Sequence, residues 1–152
     1  MKNNSHCAQA QMMIRKPAAD VFNAFIDPAV TTKFWFTKGS GKLELNKEVK
    51  WEWEMYNVST MVIAKEIIPN EKLVYEWNTP ATTVTMHFKS MGSDATYVTV
   101  TECGFDKTGD DLIAIIRDST GGFTTVLDGL KAYLEHHLQL NLVADKFADG
   151  SK

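Results

Sequence analysis

Apolar and polar positions alternate through much of the middle of the chain. In residues 48–58, EVKWEWEMYNV, the apolar side chains at 49, 51, 53 and 55 are separated by charged ones. Successive side chains of a β-strand point to opposite faces. The pattern therefore predicts a strand with Trp51, Trp53 and Met55 on one face, which is an unusual amount of bulk for a single strand.

Several other segments show the same pattern, and turn residues separate them. Strands are predicted within residues 6–16, 58–68, 72–78, 82–90 and 95–105. Pro69–Asn70, Pro80 and the residues 91–94, MGSD, mark turns between them. A hairpin is also predicted at Asn46–Lys47. Short strands joined by turns indicate an antiparallel meander.

Helical spacing appears at both ends of this strand-rich region. Residues 17–28, PAADVFNAFIDP, predict a helix that starts after Pro17 and stops at Pro28, where a second short helix begins. Residues 110–140 carry an apolar stripe that predicts a long amphipathic helix, interrupted by Gly121–Gly122. The tail at 144–152, ADKFADGSK, is predicted to be loose.

Composition and charge restrict the possible classes of protein. With 152 residues, 44% hydrophobic and 23% charged, the chain is expected to form one domain over 1–152 with its core at about 8–138. The net charge of −3, without a basic stripe, argues against a nucleic-acid partner. No apolar run is long enough to span a membrane, and the amino terminus lacks the apolar region of a signal peptide. A cytoplasmic location is therefore expected.

The two cysteines offer no metal-binding spacing. Cys7 and Cys103 lie far apart in strand-like segments, so we expect two inert structural thiols in a reducing compartment. His136 and His137 are adjacent in the long helix and do not share a face. No HExxH pattern occurs, and neither a metal site nor a cofactor is expected.

Seven strings in the same order as in a known family carry a resemblance over about residues 8–138. They are PAADVFNAFIDP, TTKFWFTKGSGKLE, VKWEWEMYNV, IIPNEKLVYEW, TTVTMHF, YVTVTECGF and GGFTTVLDGLKAYLE. The sequence resembles the START-like (SRPBCC) superfamily and, within it, the family named for the activator of heat-shock-protein-90 ATPase. The resemblance implies an α+β helix-grip fold: a curved antiparallel sheet wrapped around a long C-terminal helix, with two short helices after the first strand. It also implies a deep cavity between the sheet and that helix.

The large side chains that should face this interior are the candidate ligand-binding residues. They are Trp35, Trp51, Trp53, Tyr75, Trp77, Met86, Phe88, Glu102, Phe123 and Leu127. Met55 is expected to share the face, and Trp35 is placed near the entrance. Aromatic side chains both fill cores and line pockets. The pattern alone leaves open whether the interior is full.

Two polar positions on the inner face also allow two interpretations. Glu102 shares a face with Val98 and Val100, so it is either a ligand anchor or a strand-end residue that reaches water or pairs with a helix residue such as Arg117. The hydroxyl of Tyr75 either orients a ligand or bonds a neighbour. No catalytic residue is assigned.

Three functions fit these observations. The first is a protein, monomeric or homodimeric, that binds a small hydrophobic or amphipathic molecule. The second, implied by the resemblance, is a partner that activates a chaperone ATPase in a stress response. The third is a cyclase-like enzyme acting on an aromatic substrate, for which few converging polar groups are apparent.

Overall fold

A computed structural model describes residues 6–149, in which seven strands and four α-helices occur. The strands are β1 (Ala8–Ile14), β2 (Lys38–Gly39), β3 (Glu48–Trp53), β4 (Val58–Ile68), β5 (Lys72–Trp77), β6 (Thr82–Ser90) and β7 (Thr96–Cys103). The helices are α1 (Ala18–Ile26), α2 (Pro28–Thr31), α3 (Gly109–His136) and α4 (Leu142–Lys146). The predictions for residues 1–5 at the amino terminus and for residues 150–152 in the tail fall outside the residues that the structure describes.

The seven strands form a single antiparallel sheet in the order β1-β7-β6-β5-β4-β3-β2. Strands β3 to β7 are neighbours in sequence and in space, as the meander predicts. The first strand pairs with the last, so the two ends of the strand-rich region meet. The α+β helix-grip fold, with two short helices after the first strand and one long helix at the end, is confirmed.

The two short helices are separated by a proline and a polar cap. Asp27 follows α1, and its carboxylate accepts a hydrogen bond of 3.0 Å from the backbone N–H of Ala29, in the first turn of α2. Pro28 occupies the first helical position, where a missing N–H costs nothing. The chain then turns through residues 32–37, and the side chain of Trp35 in this segment is buried in the interior.

Alternating side chains of the sheet pack against one side of α3. On β6 and β7 every second residue is buried, from Thr82 to Phe88 and from Thr96 to Glu102. The facing residues of α3 include Phe123, Val126, Leu127 and Leu130. Gly129 allows a close approach, since a Cβ atom there would lie 3.2 Å from the carbonyl oxygen of Phe34.

One prediction about the inner face is wrong. Val49, Trp51 and Trp53 are buried as the alternation requires, but Met55 is 42% exposed. The strand ends at Trp53, and residues Glu54–Tyr56 form a 3-10 helix that ends at Asn57 in the left-handed region (φ 52°). The period of two is lost in that turn, so Met55 no longer follows the strand.

The prediction of two free thiols is also wrong. Cys7 and Cys103 form a disulfide with their Cα atoms 4.5 Å apart. The register explains the pairing, because Ala8 of β1 lies opposite Glu102 of β7, so the next residues outward face each other. Spacing along the sequence gives no indication of this contact between the two ends of the strand-rich region.

The carboxy-terminal region differs from the expectation as well. Helix α3 ends at His136, and His137 adopts the left-handed conformation (φ 57°) that commonly terminates helices. Residues 142–146, part of which was predicted to be loose, form the short helix α4. This helix lies against α3 and Tyr56, and it contributes to the site described next.

Candidate functional site

A cavity of about 520 Å³ lies between the inner face of the sheet, helix α3 and helix α4. This volume is within the range of small-molecule sites. The apolar part of its lining consists of Trp35, Trp53, Val58, Trp77, Pro80, Phe105, Ile115, Phe123, Val126, Val143 and Phe147. The interior is therefore packed in one part and open in another.

Four aromatic rings from four different parts of the chain form one wall of the cavity. Trp53 comes from the end of β3, Trp77 from the end of β5, Trp35 from the segment after α2, and Phe123 from α3. The centroid of Trp77 lies 5.8 Å from that of Trp35 and 5.9 Å from that of Phe123. Trp35 and Phe123 are 5.8 Å apart. These mutual contacts hold the wall in a fixed shape.

Glu102 lies at the buried end of the cavity and is 4% exposed. Its Oε2 atom accepts hydrogen bonds from Trp77 Nε1, at 2.9 Å, and from the Thr82 hydroxyl. Its Oε1 atom accepts a bond of 2.6 Å from Ser119 Oγ of α3. The helix partner expected in the sequence was Arg117, but the structure uses Ser119, two residues further on, and Arg117 is exposed.

Exposed charged residues surround the opening of the cavity. Asp106 and Lys107 follow β7, Asp118 lies on α3, and Lys146 lies on α4. The two carboxylates and two ammonium groups give the opening of the cavity a net charge of about zero. Glu102 is the only titratable residue of the lining that is buried, within the described part of the chain.

Helix α4 covers one side of the opening and is attached through Tyr56. The hydroxyl of Tyr56 lies 2.8 Å from the carbonyl oxygens of both Val143 and Ala144 and donates to this pair. Its ring also contacts the ring of Phe147 edge-on, with the centroids 6.2 Å apart. The lining residues Val143, Lys146 and Phe147 are positioned in this way.

Of the ten candidate residues, the structure brings five together around the cavity: Trp35, Trp53, Trp77, Glu102 and Phe123. The other five, Trp51, Tyr75, Met86, Phe88 and Leu127, are buried in the packed core beside it. The Trp51 ring, for example, stacks on Phe36 with the centroids 4.5 Å apart. Both interpretations of the inner face thus apply, each to a different set of side chains.

Tyr75 occupies an apolar position with a polar group. It is 0% exposed, and its hydroxyl has no hydrogen-bond partner among the described residues. Burial, and to a lesser degree the charge of Glu102, raise the pKa of Tyr75 well above its ordinary value. The phenol therefore stays protonated wherever the protein is folded at neutral pH.

Sequence reasoning missed several residues of the site. Thr82 and Ser119 hold the carboxylate of Glu102, yet a single hydroxyl on a strand or helix carries no distinctive signal. Val143 and Phe147 belong to a segment without helical periodicity. The sequence pattern marks Gly122 only as an interruption of the long helix, but Gly122 lines the cavity, and a Cβ atom there would lie in open space.

Among residues 6–149, no group of three or more His, Cys, Asp or Glu side chains is arranged to hold a metal ion. In the same part of the chain, no helix combines the length and apolar character needed to cross a membrane.

Comparison with known proteins identifies the fold and a family. The sequence model of the family described as "Activator of Hsp90 ATPase homolog 1-like protein" matches residues 15–135. No curated protein matches the chain at a significant level.

Solved structures are similar over most of the chain. A protein from Staphylococcus saprophyticus is 26% identical, with a TM-score of 0.78, over 89% of this chain and 96% of that one. The Aha1 dimer from Colwellia psychrerythraea is 15% identical, with a TM-score of 0.74, over 86% and 97%. The di-domain ARO/CYC BexL from the BE-7585A biosynthetic pathway is 13% identical, with a TM-score of 0.74, over 86% and 46%. The last two comparisons show the fold alone.

Proposed function

Because the chain belongs to the Activator of Hsp90 ATPase homolog 1-like family and contains a cavity between its sheet and helices, we propose that it binds a small hydrophobic or amphipathic molecule. The observation that carries this proposal is the volume of about 520 Å³ beside an otherwise close-packed core. Folded interiors contain few voids larger than a water molecule. A space of this size, walled by four aromatic rings, supports ligand binding.

The rigid aromatic wall of the cavity and its opening to solvent also fit a binding role. Trp35, Trp53 and Phe123 are each less than a tenth exposed, yet all three border the cavity. Rings that already hold one another in place lose little conformational freedom when a ligand arrives. Apolar area buried on the ligand then contributes roughly 25 cal/mol per Å² before the cost of association.

Tryptophan fluorescence provides the test. Three of the four tryptophans border the cavity, and Trp51 does not. We expect a saturable change at about one ligand per chain when the protein is titrated with a panel of fatty acids, sterols, flavonoids and polyketide-like aromatics. One ligand per chain is the stoichiometry expected for a single site of this volume.

A variant that fills the cavity separates specific binding from surface adsorption. In Gly122→Leu the new side chain enters open space, so the helix and core are retained while the cavity is reduced. The fluorescence change should be lost in this variant and kept in Gly121→Ala, which lies outside the lining. If no lipophile binds the folded protein, or if Gly122→Leu binds equally well, the proposal is wrong.

The name of the family favours a second candidate, a partner that activates a chaperone ATPase. Stimulation of that ATPase by this chain would support it, and the Gly122→Leu variant should retain the stimulation if the cavity is not involved. A cyclase-like activity is a weaker alternative, since Glu102 is the only buried titratable group of the lining within residues 6–149.

A monomeric or homodimeric state stays a prediction, and so does the cytoplasmic location. The disulfide removes one argument for that location, because such bonds persist mainly in oxidising compartments.

A further inference from the structure

The carboxylate of Glu102 is buried without a cationic partner. None of the ion pairs among the described residues involves it, and its three hydrogen-bond donors are an indole and two hydroxyls, all neutral. A buried charge is costly unless it is both hydrogen-bonded and paired with an opposite charge. Glu102 meets the first requirement within the protein and leaves the second unmet.

One hydrogen-bonding position of this carboxylate is still open. Each carboxylate oxygen can accept about two hydrogen bonds. Oε2 accepts from both Trp77 and Thr82, whereas Oε1 accepts only from Ser119 among residues 6–149. Since Glu102 borders the cavity, we infer that a donor on a bound ligand fills the remaining position of Oε1.

The aromatic wall beside Glu102 favours the same kind of group. Trp77 donates its N–H to the carboxylate, and the rings of Trp35, Trp53 and Phe123 lie within 6.5 Å of the Trp77 ring, centroid to centroid. Aromatic faces attract cations, most strongly when water is excluded. A carboxylate and several aromatic rings therefore border the same space, and both kinds of group attract a positive charge.

The charges at the opening do not supply this positive charge. Asp106 and Asp118 are matched by Lys107 and Lys146, and all four are exposed. The buried end of the cavity therefore keeps the uncompensated negative charge of Glu102. An anionic ligand would place a second negative charge beside it, and like charges in a region of low dielectric constant repel strongly.

We propose that the cavity selects ligands in which a protonated amine is attached to an apolar body, with the ammonium N–H donating to Glu102 Oε1. This inference rests on the proposed function, and it names the chemical class of the ligand. The apolar body lies against the aromatic wall, and the ammonium group reaches the buried end. The ligand itself is the counter-ion that Glu102 lacks.

Three probes of the same shape and different charge test the proposal. They are 4-phenylbutylamine, 4-phenylbutanol and 4-phenylbutyrate, whose phenyl rings do not interfere with tryptophan fluorescence excited on its red edge. At neutral pH the amine should bind about tenfold or more tightly than the alcohol, since hydrogen bonds between charged groups are the strong ones. The butyrate should bind more weakly than the alcohol.

Glu102→Gln removes the charge and can keep the contacts. The amide oxygen accepts from Trp77 and Thr82, and the NH₂ group donates to Ser119, whose hydroxyl can act as donor or acceptor. In this variant the amine and alcohol should bind within about threefold of each other, with the affinity for the alcohol preserved. Asp128→Asn is the matched control: it removes an exposed carboxylate of α3 outside the cavity lining and should leave the tenfold preference in place.

The outcomes separate this inference from the function on which it rests. Binding of the alcohol as tightly as the amine, or a preference for butyrate, overturns the inference and leaves the binding function intact. Failure of every probe and of the whole lipophile panel overturns both. Because the three probes are compared first in the unaltered protein, the inference is tested even if Glu102→Gln does not fold.

Discussion

Tyr75 places a phenol where the surrounding core has no partner for it. The residue is fully buried, its ring contacts those of Trp51 and Trp77, and its hydroxyl makes no hydrogen bond within the described part of the chain. A buried polar group without a partner costs about 1–3 kcal/mol relative to one that is satisfied. This position therefore reduces the stability of the fold.

Replacing Tyr75 with phenylalanine should stabilise the protein. Tyr75→Phe retains the ring contacts and removes the unsatisfied hydroxyl, so the free energy of unfolding at neutral pH should rise by about 1 kcal/mol. Urea unfolding followed by fluorescence measures this change. A loss of about 1 kcal/mol or more would instead show that the hydroxyl is satisfied in solution, for example by a buried water molecule.

The same residue predicts a dependence of stability on alkaline pH. The folded pKa of Tyr75 is raised, by burial first and by Glu102 second. The unfolded chain therefore releases the phenol proton at about pH 10, while the folded protein retains it. The contribution of the protonated Tyr75 phenol to stability is fully present below about pH 10. It falls as the pH rises from there to the pKa of Tyr75 in the folded protein.

This dependence of stability on pH should be smaller in Tyr75→Phe, because phenylalanine has no hydroxyl group that can titrate. The comparison is the free energy of unfolding at about pH 8 and about pH 11 for both proteins. The difference between the two proteins should widen at the higher pH. An identical alkaline loss in both would assign that loss to other groups.

The sequence predicted the direction of individual side chains well where strands are regular. Trp51, Trp53, Trp77 and Glu102 all point inward, as their alternation required. It did not predict that Trp51 would be packed while Trp53 would border an open space, because that depends on rings and helices from distant segments. Met55 was misplaced since a 3-10 turn replaced the strand after Trp53.

At the scale of elements, the two glycines of α3 have different surroundings, so substitutions at them separate an effect on helix stability from an effect on the shape of the cavity. A Cβ atom at Gly121 would make ordinary contact with Lys146 Nζ, at 3.5 Å, and one at Gly122 would contact nothing. Glycine in a helix interior is about 1 kcal/mol less favourable than alanine. Only Gly122 borders the cavity.

Gly121→Ala and Gly122→Ala should therefore both raise the free energy of unfolding, by about 0.5–1 kcal/mol each. Only Gly122→Ala should change the affinity for a ligand that fills the cavity, because its methyl group occupies part of that space. Thermal unfolding and fluorescence titration of both variants provide the comparison. Equal effects of the two variants on affinity would contradict the assignment of Gly122 to the lining.

Helix α4 should be held in place mainly by Tyr56. Tyr56→Phe removes the donor to the Val143 and Ala144 carbonyls and keeps the ring. We expect local opening of 142–146 to become easier by about 1 kcal/mol, the typical net value of one hydrogen bond. Hydrogen exchange of the α4 amides measures this, with the amides of β6 as an internal control that should be unchanged. Unchanged exchange in α4 would show that other contacts hold the helix.

The elements with strong periodicity or a proline boundary were predicted from the sequence, and helix α4 was not. The apolar stripe of α3 is long enough to define a helix by itself, and its glycine pair did not break it. Helix α4 has five residues and no buried ones, so it depends on contacts with Tyr56 and α3 that no local pattern encodes. The part of the cavity that α4 covers could not be predicted for the same reason.

For the whole molecule, the order of strands and helices was enough to predict the architecture. An antiparallel sheet with one apolar face needs a cover, and α3 is the only described element long enough to provide it. The pairing of β1 with β7 joins segments that are far apart in sequence, so local patterns did not indicate it. The disulfide between Cys7 and Cys103 follows directly from that pairing.

The disulfide should contribute substantially to the stability of the fold. Its cysteines are separated by 96 positions, so the bond closes a loop that includes all seven strands of the sheet. In the chain-entropy account, a crosslink over about 100 residues stabilises the folded state by up to about 4–5 kcal/mol, and measured values are commonly smaller. The bond also joins the edge strand β1 to β7 one residue beyond Glu102.

Reduction should therefore lower the free energy of unfolding by several kcal/mol without changing the order of the strands. Urea unfolding with and without a phosphine reductant measures the loss. The double variant Cys7→Ala, Cys103→Ala is the matched control, since it should start at the lower stability and show no response to the reductant. If the untreated protein already has two titratable thiols and the reductant has no effect, the cysteines are free, and the expectation of a reducing compartment regains its support.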